Sequence, residues 1–214
     1  MKPILSILFF LSVLTVTFGQ KQDQEVGITI GLINYQGDLA QGTVNAQQTN
    51  VAFGAQYRTF LSSKFALKGA LQLGKISGSD LDYNLERGIS MENQLLEVVA
   101  QAEWHPLGLT SFEESGTFVR NFTPYLGLGL GVVFTNEEIS TIGSNLKPEE
   151  DSGSLIIVPI DLGIRFAVTP SFSATLKAGT RATFSDLLDG VSENGNADAN
   201  DWYLIGGLGL QYTW

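Results

Sequence analysis

The last thirteen residues of the chain alternate between apolar side chains and small or polar ones. One parity holds Trp202, Leu204, Leu208, Leu210, Tyr212 and Trp214. The other parity holds Gly207, Gly209, Gln211 and Thr213. A period of two is that of a β-strand with one apolar face. Aromatic residues stand at both ends of this face, as they do in strands that face lipid between two membrane interfaces.

A closing strand that ends on an aromatic residue resembles the signal read by the outer-membrane barrel-assembly machinery. The residues that carry this resemblance are Gly207, Leu210, Tyr212 and Trp214. The resemblance implies that machinery as a partner and outer-membrane lipid as the surroundings. A final strand of a soluble β-sandwich would show the same alternation, so the other strands must decide between the two.

The start of the chain has the pattern of a secretory signal peptide. Lys2 gives a positive start, an apolar run covers residues 4–18, and the small residue Gly19 follows. A retained membrane anchor is the alternative, but the run is shorter than the ~20 apolar residues that a membrane helix needs. We predict a signal peptide over residues 1–19, cleaved near Gly19, and one outer-membrane domain over residues 20–214.

Two properties of the mature chain exclude whole classes of protein. No later apolar stretch is long enough for a membrane helix, so a chain that spans a bilayer must do so as a closed barrel, which pairs every backbone group. Removal of residues 1–19 takes away Lys2 and leaves 11 basic against 22 acidic residues, a net charge of −11. Duplex binding needs a basic face, so this charge argues against nucleic acid as a partner.

Alternation of the same kind predicts eight strands. They cover residues 25–35, 51–60, 65–74, 95–105, 125–134, 156–166, 172–184 and 202–214. Short turns are predicted at 61–64 and 169–171, and long loops at 36–50, 78–94, 135–153 and 185–201. Short periplasmic turns and long external loops are typical of outer-membrane barrels. We therefore predict an all-β fold, an eight-stranded antiparallel transmembrane β-barrel with up-and-down strand order.

A soluble lipocalin-like barrel is the main alternative, because it shows the same alternation with its apolar face turned inward. Three features favour the membrane barrel. The polar face is rich in Gly and poor in Lys and Glu, aromatic residues stand at the ends of the apolar face, and the chain ends on a strand.

Charged residues occupy the parity that is predicted to face the barrel interior. They are Arg58, Lys68, Glu97, Glu103, Asp161, Arg165, Lys177 and Arg181. The interior of an eight-stranded barrel is only wide enough for side chains. Charges of both signs can pair there, and an unpaired member is costly. We predict a packed ionic network; an ion pathway, the alternative, needs a wider bore.

The sequence offers little for catalysis. Its one histidine, His105, lies beside Pro106 at the predicted periplasmic end of the fourth strand, where we expect a rim position without a catalytic role. The chain has no cysteine, no metal site of the His/Cys type and no phosphate loop. We predict a non-enzymatic protein without catalytic residues, cofactor or metal.

Acidic residues gather in the predicted external loops. Asn194, Asn196, Asp198 and Asp201 superficially resemble a calcium loop, because hard cations take carboxylate and amide oxygens at alternate positions. The Gly and the terminal Glu of such a loop do not fall in register. We predict solvated acidic loops, with divalent ions bound loosely at most.

Five short motifs occur in order along the mature chain. They are Asn34-Tyr35-Gln36-Gly37-Asp38-Leu39, Gly74-Lys75-Ile76-Ser77-Gly78-Ser79-Asp80, Asn93-Gln94-Leu95-Leu96-Glu97, Phe122-Thr123-Pro124-Tyr125-Leu126 and Asp186-Leu187-Leu188-Asp189-Gly190-Val191-Ser192. Together they resemble the PorG-like outer-membrane barrels, a family that includes a type IX secretion component. The resemblance implies an eight-stranded barrel without enzymatic activity that associates with periplasmic ring proteins of type IX secretion. A stand-alone surface barrel, serving adhesion, loop-mediated binding or envelope stabilisation, is the alternative.

One predicted periplasmic connection, residues 106–123, is far longer than a turn between strands requires. Glu113-Glu114-Ser115-Gly116 forms a polar segment between Phe112 and Phe118. The alternative to a protruding hairpin is that the two neighbouring strands extend below the membrane. We predict a hairpin that contacts a periplasmic partner through Phe112, Glu113, Glu114, Phe118, Arg120 and Phe122.

Overall fold

The computed structural model describes residues 23–36, 48–79, 89–109, 111–112, 118–141, 153–183 and 202–214. These residues form the strands β1 Gln24–Gln36, β2 Thr49–Phe60, β3 Phe65–Ser79, β4 Ile89–Trp104, β5 Ser111–Phe112, β6 Phe118–Arg120, β7 Phe122–Thr141, β8 Ser154–Ala167, β9 Phe172–Thr183 and β10 Trp202–Thr213. All except β5 and β6 form one closed antiparallel barrel in which β1 pairs with β10. The predicted fold class is confirmed. Among the described residues, no helix is long and apolar enough to span a membrane.

The start of β1 and the end of β10 lie at one end of the barrel, which we call the terminal end. The backbone N–H of Trp214 donates to the carbonyl of Gln24 at 3.0 Å. The two predicted short turns close the same end. In each turn a hydroxyl caps the returning strand: Ser62 Oγ accepts from Phe65 N–H at 3.1 Å, and Thr169 Oγ1 accepts from Phe172 N–H at 3.0 Å. The strand ends that flank residues 37–47, 80–88, 142–152 and 184–201 therefore lie at the opposite end, which we call the loop end.

The outer wall of the barrel is apolar. Ile28, Leu130 and Leu162 are each more than 60% exposed although they lie in the middle of their strands. Aromatic rings adjoin one another on this wall towards the terminal end, with Tyr212 5.2 Å from Phe172 between ring centroids. A soluble lipocalin-like barrel would turn these side chains inward, so that alternative is wrong. A continuous apolar wall with a rim of aromatic rings is suited to lipid.

A charge placed on this wall is expected to destabilise the barrel according to its depth. Ala178 lies at the middle of β9 and faces outward. We expect Ala178→Arg to lower the free energy of unfolding by ~2–4 kcal/mol, because arginine meets hydrocarbon at mid-membrane. Ala182→Arg, on the same face but near the loop end, is the matched control and should cost ~0–1 kcal/mol. Urea unfolding in lipid vesicles measures both, and equal costs would contradict a lipid-facing wall.

Three strands are longer at the loop end than the sequence predicts. β3 continues to Ser79, β4 begins at Ile89 and β7 continues to Thr141, so parts of the predicted loops 78–94 and 135–153 are strand. Lys75 on β3 and Glu92 on β4 form an ion pair here, and both side chains are partly exposed. Glu92 was predicted to be an external-loop residue, which is wrong. Strand pairing continues beyond the apolar wall because a strand in water needs no apolar face. Hydrophobic alternation stops where the apolar wall ends, so it underestimates the length of these strands.

Candidate functional site in the barrel interior

Charged side chains line the bore from the terminal end, where Glu25 and Glu103 lie, to Glu97 and Arg181 further towards the loop end. This ionic layer consists of Glu25, Arg58, Lys68, Glu97, Glu103, Asp161, Arg165, Lys177 and Arg181, none of which is more than 7% exposed. All eight charged residues predicted to face inward lie there, because side chains of one parity point to one face of a strand. Glu25 is the ninth member and was not predicted.

One part of the ionic layer is centred on Arg58. Its guanidinium donates to Glu103 Oε2 at 2.6 Å through Nε and to Glu25 through a terminal nitrogen. Glu25 also accepts from Arg165, at 3.0 Å from Nε and 2.8 Å from Nη2. Glu103 thus accepts two hydrogen bonds from Arg58, and Glu25 accepts two from Arg165. Paired charge-assisted hydrogen bonds of this kind are the strong ones.

A second part of the ionic layer is centred on Arg181. Its Nε lies 3.0 Å from both carboxylate oxygens of Glu97, and its Nη1 lies 2.7 Å from Asp161 Oδ1. The hydroxyl of Tyr203 donates to Glu97 Oε2 at 2.7 Å. Lys177 is buried in the same layer but forms none of these ion pairs.

Lys68 connects the two parts. Its ammonium lies 2.9 Å from Glu103 Oε1 and 3.2 Å from Asp161 Oδ2. Ion pairs therefore run without interruption from Glu25 to Glu97 and cross the bore between strands that are not neighbours. Removal of Arg58, Lys68 or Arg181 leaves its buried carboxylate partners with fewer opposite charges, which is costly at low dielectric.

Inward glycines make room for the large polar side chains. A Cβ on Gly179 would stand 2.2 Å from Asp161 Oδ1, and one on Gly163 would stand 2.4 Å from the ring of Tyr125. Both glycines are the direct cross-strand partners of the residues they accommodate. Glycine on the inward face is thus a packing requirement of the ionic layer.

Towards the loop end the bore contains a cluster of apolar side chains, which the sequence did not predict, beside buried polar residues such as Asn34 and Asn93. This apolar layer consists of Ile33, Tyr35, Ala52, Ile76, Leu95, Val99, Val133, Ile157, Tyr203 and Ile205, none of which is more than 5% exposed. The available signal was the failure of alternation at the loop end, where Tyr203 and Ile205 add bulk on the inward parity of β10. The described interior is therefore closed by two different layers.

His105 directly follows β4 at the terminal end, as predicted, and its side chain turns into the barrel. Its side chain is fully buried between Phe60 and Tyr125, with ring centroids 6.1 Å and 5.5 Å away. Its Nε2 lies 3.5 Å from Glu103 Oε2. His105 shares the inward parity of Glu103, so its side chain still faces the bore although it lies one residue beyond the end of β4. The chain then forms a turn at residues 106–107.

The long connection at the terminal end contains a small separate sheet. β5 and β6 pair with each other, with Phe112 opposite Phe118 and Ser111 opposite Arg120, and they form no part of the barrel sheet. Phe122 is a residue of β7 on the outer wall, where its ring lies 6.5 Å from that of Phe166. Glu113 and Glu114 lie outside the described residues, as do the predicted signal peptide over residues 1–19 and residues 194–201.

Within the described part of the chain, no three His, Cys, Asp or Glu side chains are arranged to hold a metal ion. The carboxylates of the ionic layer meet arginine and lysine instead. The interior geometry thus supports ion pairing and packing.

Comparisons with known proteins agree with this architecture. The family model described as "Domain of unknown function (DUF6089)" matches residues 2–214. No curated protein sequence matches the chain. The PorG-like relationship therefore stays a prediction.

Two solved structures are similar in fold. Ail, the attachment invasion locus protein of Yersinia pestis, solved with the heparin analogue sucrose octasulfate, has a TM-score of 0.52 at 15% identity, with 91% of this chain and 100% of that chain covered. The outer membrane protein OprG from Pseudomonas aeruginosa has a TM-score of 0.50 at 11% identity, with 90% and 96% covered. The fold is that of small outer-membrane barrels.

Proposed function

Because the chain belongs to the DUF6089 family and folds as a closed barrel, we propose that it is a non-enzymatic, non-conducting outer-membrane protein that acts through its exposed ends. The observation that carries this proposal is the continuous ion-pair network from Glu25 to Glu97 across the bore. The apolar wall supports a location in lipid. The first 19 residues support export through a cleaved signal peptide.

The ionic layer argues against a pore. A path for hydrated ions would have to separate pairs such as Arg58–Glu103, whose side chains are fully buried. Once separated, the two buried charges would lose each other's attraction, and the narrow bore holds too little water to solvate them. The apolar layer adds a second barrier towards the loop end, because Ile33 and Ile157 are fully packed there and offer no polar group to a permeating ion.

Burial of His105 argues against catalysis in the described part of the chain. A general base must lie within hydrogen-bond reach of the proton it abstracts. Phe60, Tyr125 and Glu103 surround the imidazole instead, and its exposed fraction is 0%. A substrate could reach it only after the packing of the terminal end had been opened.

The partner side of the proposal rests on the hairpin of β5 and β6. It lies in the connection between β4 and β7 at the terminal end, which becomes the periplasmic end when short turns face the periplasm. We propose that this hairpin docks on periplasmic ring proteins of type IX secretion, as the PorG-like resemblance implies. The barrel-assembly machinery would recognise Gly207, Leu210, Tyr212 and Trp214 during insertion.

A stand-alone surface barrel is the second candidate, favoured by the many acidic residues of the predicted external loops. Such loops would suit basic or cationic partners. Binding of a sulfated polyanion, as the solved Ail complex shows for that protein, would be opposed here by the net charge of −11 that remains without residues 1–19.

Planar-bilayer recording tests the closed interior. We expect the purified protein to give no stable conductance step, because the ionic and apolar layers fill the bore. A wide porin reconstituted in the same membrane is the positive control for insertion and recording. A steady, reproducible conductance from the protein would contradict the proposal.

A further inference from the structure

The barrel closes where its first strand meets its last, and we call the β1–β10 contact the seam. Gly27 and Gly31 of β1 lie on its inner face, directly opposite Gln211 and Gly207 of β10. A Cβ on Gly31 would stand 2.1 Å from the carbonyl oxygen of Gly206. At Gly31 and Gly207 the two backbones therefore meet directly, and the small Thr29 side chain and Gln211 are the seam side chains beside them on the inside.

Side chains hold the inner face of the seam at its two ends. At the loop end, Tyr35 lies opposite Tyr203 and Ile33 opposite Ile205, all within the apolar layer. At the terminal end the contact is polar and depends on Glu25, which lies opposite Thr213. The apolar contact is non-directional, whereas the polar contact forms only in one register.

Glu25 reaches strands on both sides of the seam. On its own side it meets Arg58 of β2. Across the seam, Glu25 Oε2 accepts from Arg165 Nη2 at 2.8 Å, from Ser173 Oγ at 3.3 Å and from Thr213 Oγ1 at 3.3 Å. One buried carboxylate thus binds β1 to β8, β9 and β10 together.

We infer that Glu25 is the latch that fixes the register of the seam and keeps it shut. Its partners across the seam are 140 to 188 residues distant in sequence. Between the two ends of the seam, Gly31 and Gly207 meet backbone to backbone, so few side-chain contacts there can replace the latch.

Hydrogen exchange of the intact barrel in lipid nanodiscs tests the latch. In Glu25→Gln we expect seam amides of β1 and β10 to exchange about ten- to a hundredfold faster than in the wild type, since a lost charged hydrogen bond releases the register there. Amides of the β3–β4 ladder should change much less. Glu103→Gln is the matched control, because Glu103 is equally buried and binds Arg58 but has none of these contacts with β8, β9 or β10.

The test depends on whether exchange becomes faster at the seam alone and in Glu25→Gln alone. Uniform acceleration in Glu25→Gln, or equal acceleration of the seam in Glu103→Gln, would overturn the latch and leave Glu25 as a general packing residue. Thr213→Val is a milder variant if Glu25→Gln does not fold, and it removes only the hydroxyl next to Glu25 and Arg165. It should accelerate the same seam amides in the same order, and unchanged seam exchange in Thr213→Val would also overturn the inference.

Discussion

Replacement of Arg58 by alanine is expected to lower the free energy of unfolding by about 3–5 kcal/mol, the cost of breaking a buried ion pair by removing one partner. Arg58 is fully buried and joins Glu25 to Glu103. Its loss leaves two carboxylates close together with fewer cations, in a space too narrow for full hydration. Urea unfolding in lipid vesicles, followed by tryptophan fluorescence, measures the change.

Lys75→Ala is the control for Arg58→Ala. Lys75 also forms an ion pair, with Glu92, but its side chain is 39% exposed. Exposed pairs contribute ~0–1 kcal/mol, so this variant should remain close to the wild type. If Arg58→Ala also stayed within ~1 kcal/mol of the wild type, water would have to enter the bore freely, and the closed interior would be wrong.

The period of two explains why the sequence predicted the interior charges. Parity fixes the face of a strand on which a side chain lies, and the face decides between lipid and bore. Arg58, Asp161 and Arg181 follow from this rule without knowledge of the strand register. The same rule applied to β1 would have found Glu25, which shares parity with Gly27 and Thr29.

Parity does not give the depth of a residue along the barrel axis or its ion-pair partner. Lys68 meets Glu103 and Asp161 because of the stagger between β3, β4 and β8, which alternation within one strand does not encode. The apolar layer escaped for a related reason. In a single strand, one large apolar residue on the inward parity is only an exception to a polar face. The apolar layer is recognisable only when several strands place such residues at the same depth.

The hairpin between β4 and β7 could be predicted from the sequence only in part. Length and composition indicated an element between β4 and β7, and the structure contains β5 and β6 there. No pattern in the chain could supply its partner, because a docking surface is defined by a second molecule. Only an experiment on partner capture can test that part.

Replacement of residues 107–120 by a short Gly-Asn turn is expected to abolish partner capture while leaving the barrel folded. Both ends of the connection are fastened to the barrel independently of the hairpin. His105 N–H donates to the carbonyl of Lys64 at 2.8 Å, and Ala167 N–H donates to the carbonyl of Asn121 at 2.7 Å. β5 and β6 pair only with each other among the described strands, so their removal breaks no barrel ladder.

Two measurements on this variant separate folding from docking. Unheated and boiled samples should still migrate differently on a denaturing gel, since a closed barrel has no free edge from which to unfold. Crosslinking in intact cells should no longer recover periplasmic ring proteins, and secretion should fail. Lost heat modifiability would show that the segment supports the barrel itself.

Finer variants identify which property of the hairpin matters. Phe112→Ala with Phe118→Ala removes two apolar anchors and should weaken capture strongly, because buried aromatic residues dominate interface energies. Glu113→Gln with Glu114→Gln keeps those anchors and should chiefly slow association, as charges at an interface rim do. If the barrel with the Gly-Asn turn captured the same partners and secreted normally, the segment would be only a long connection, and the acidic loops at the other end would be the remaining surface for a partner.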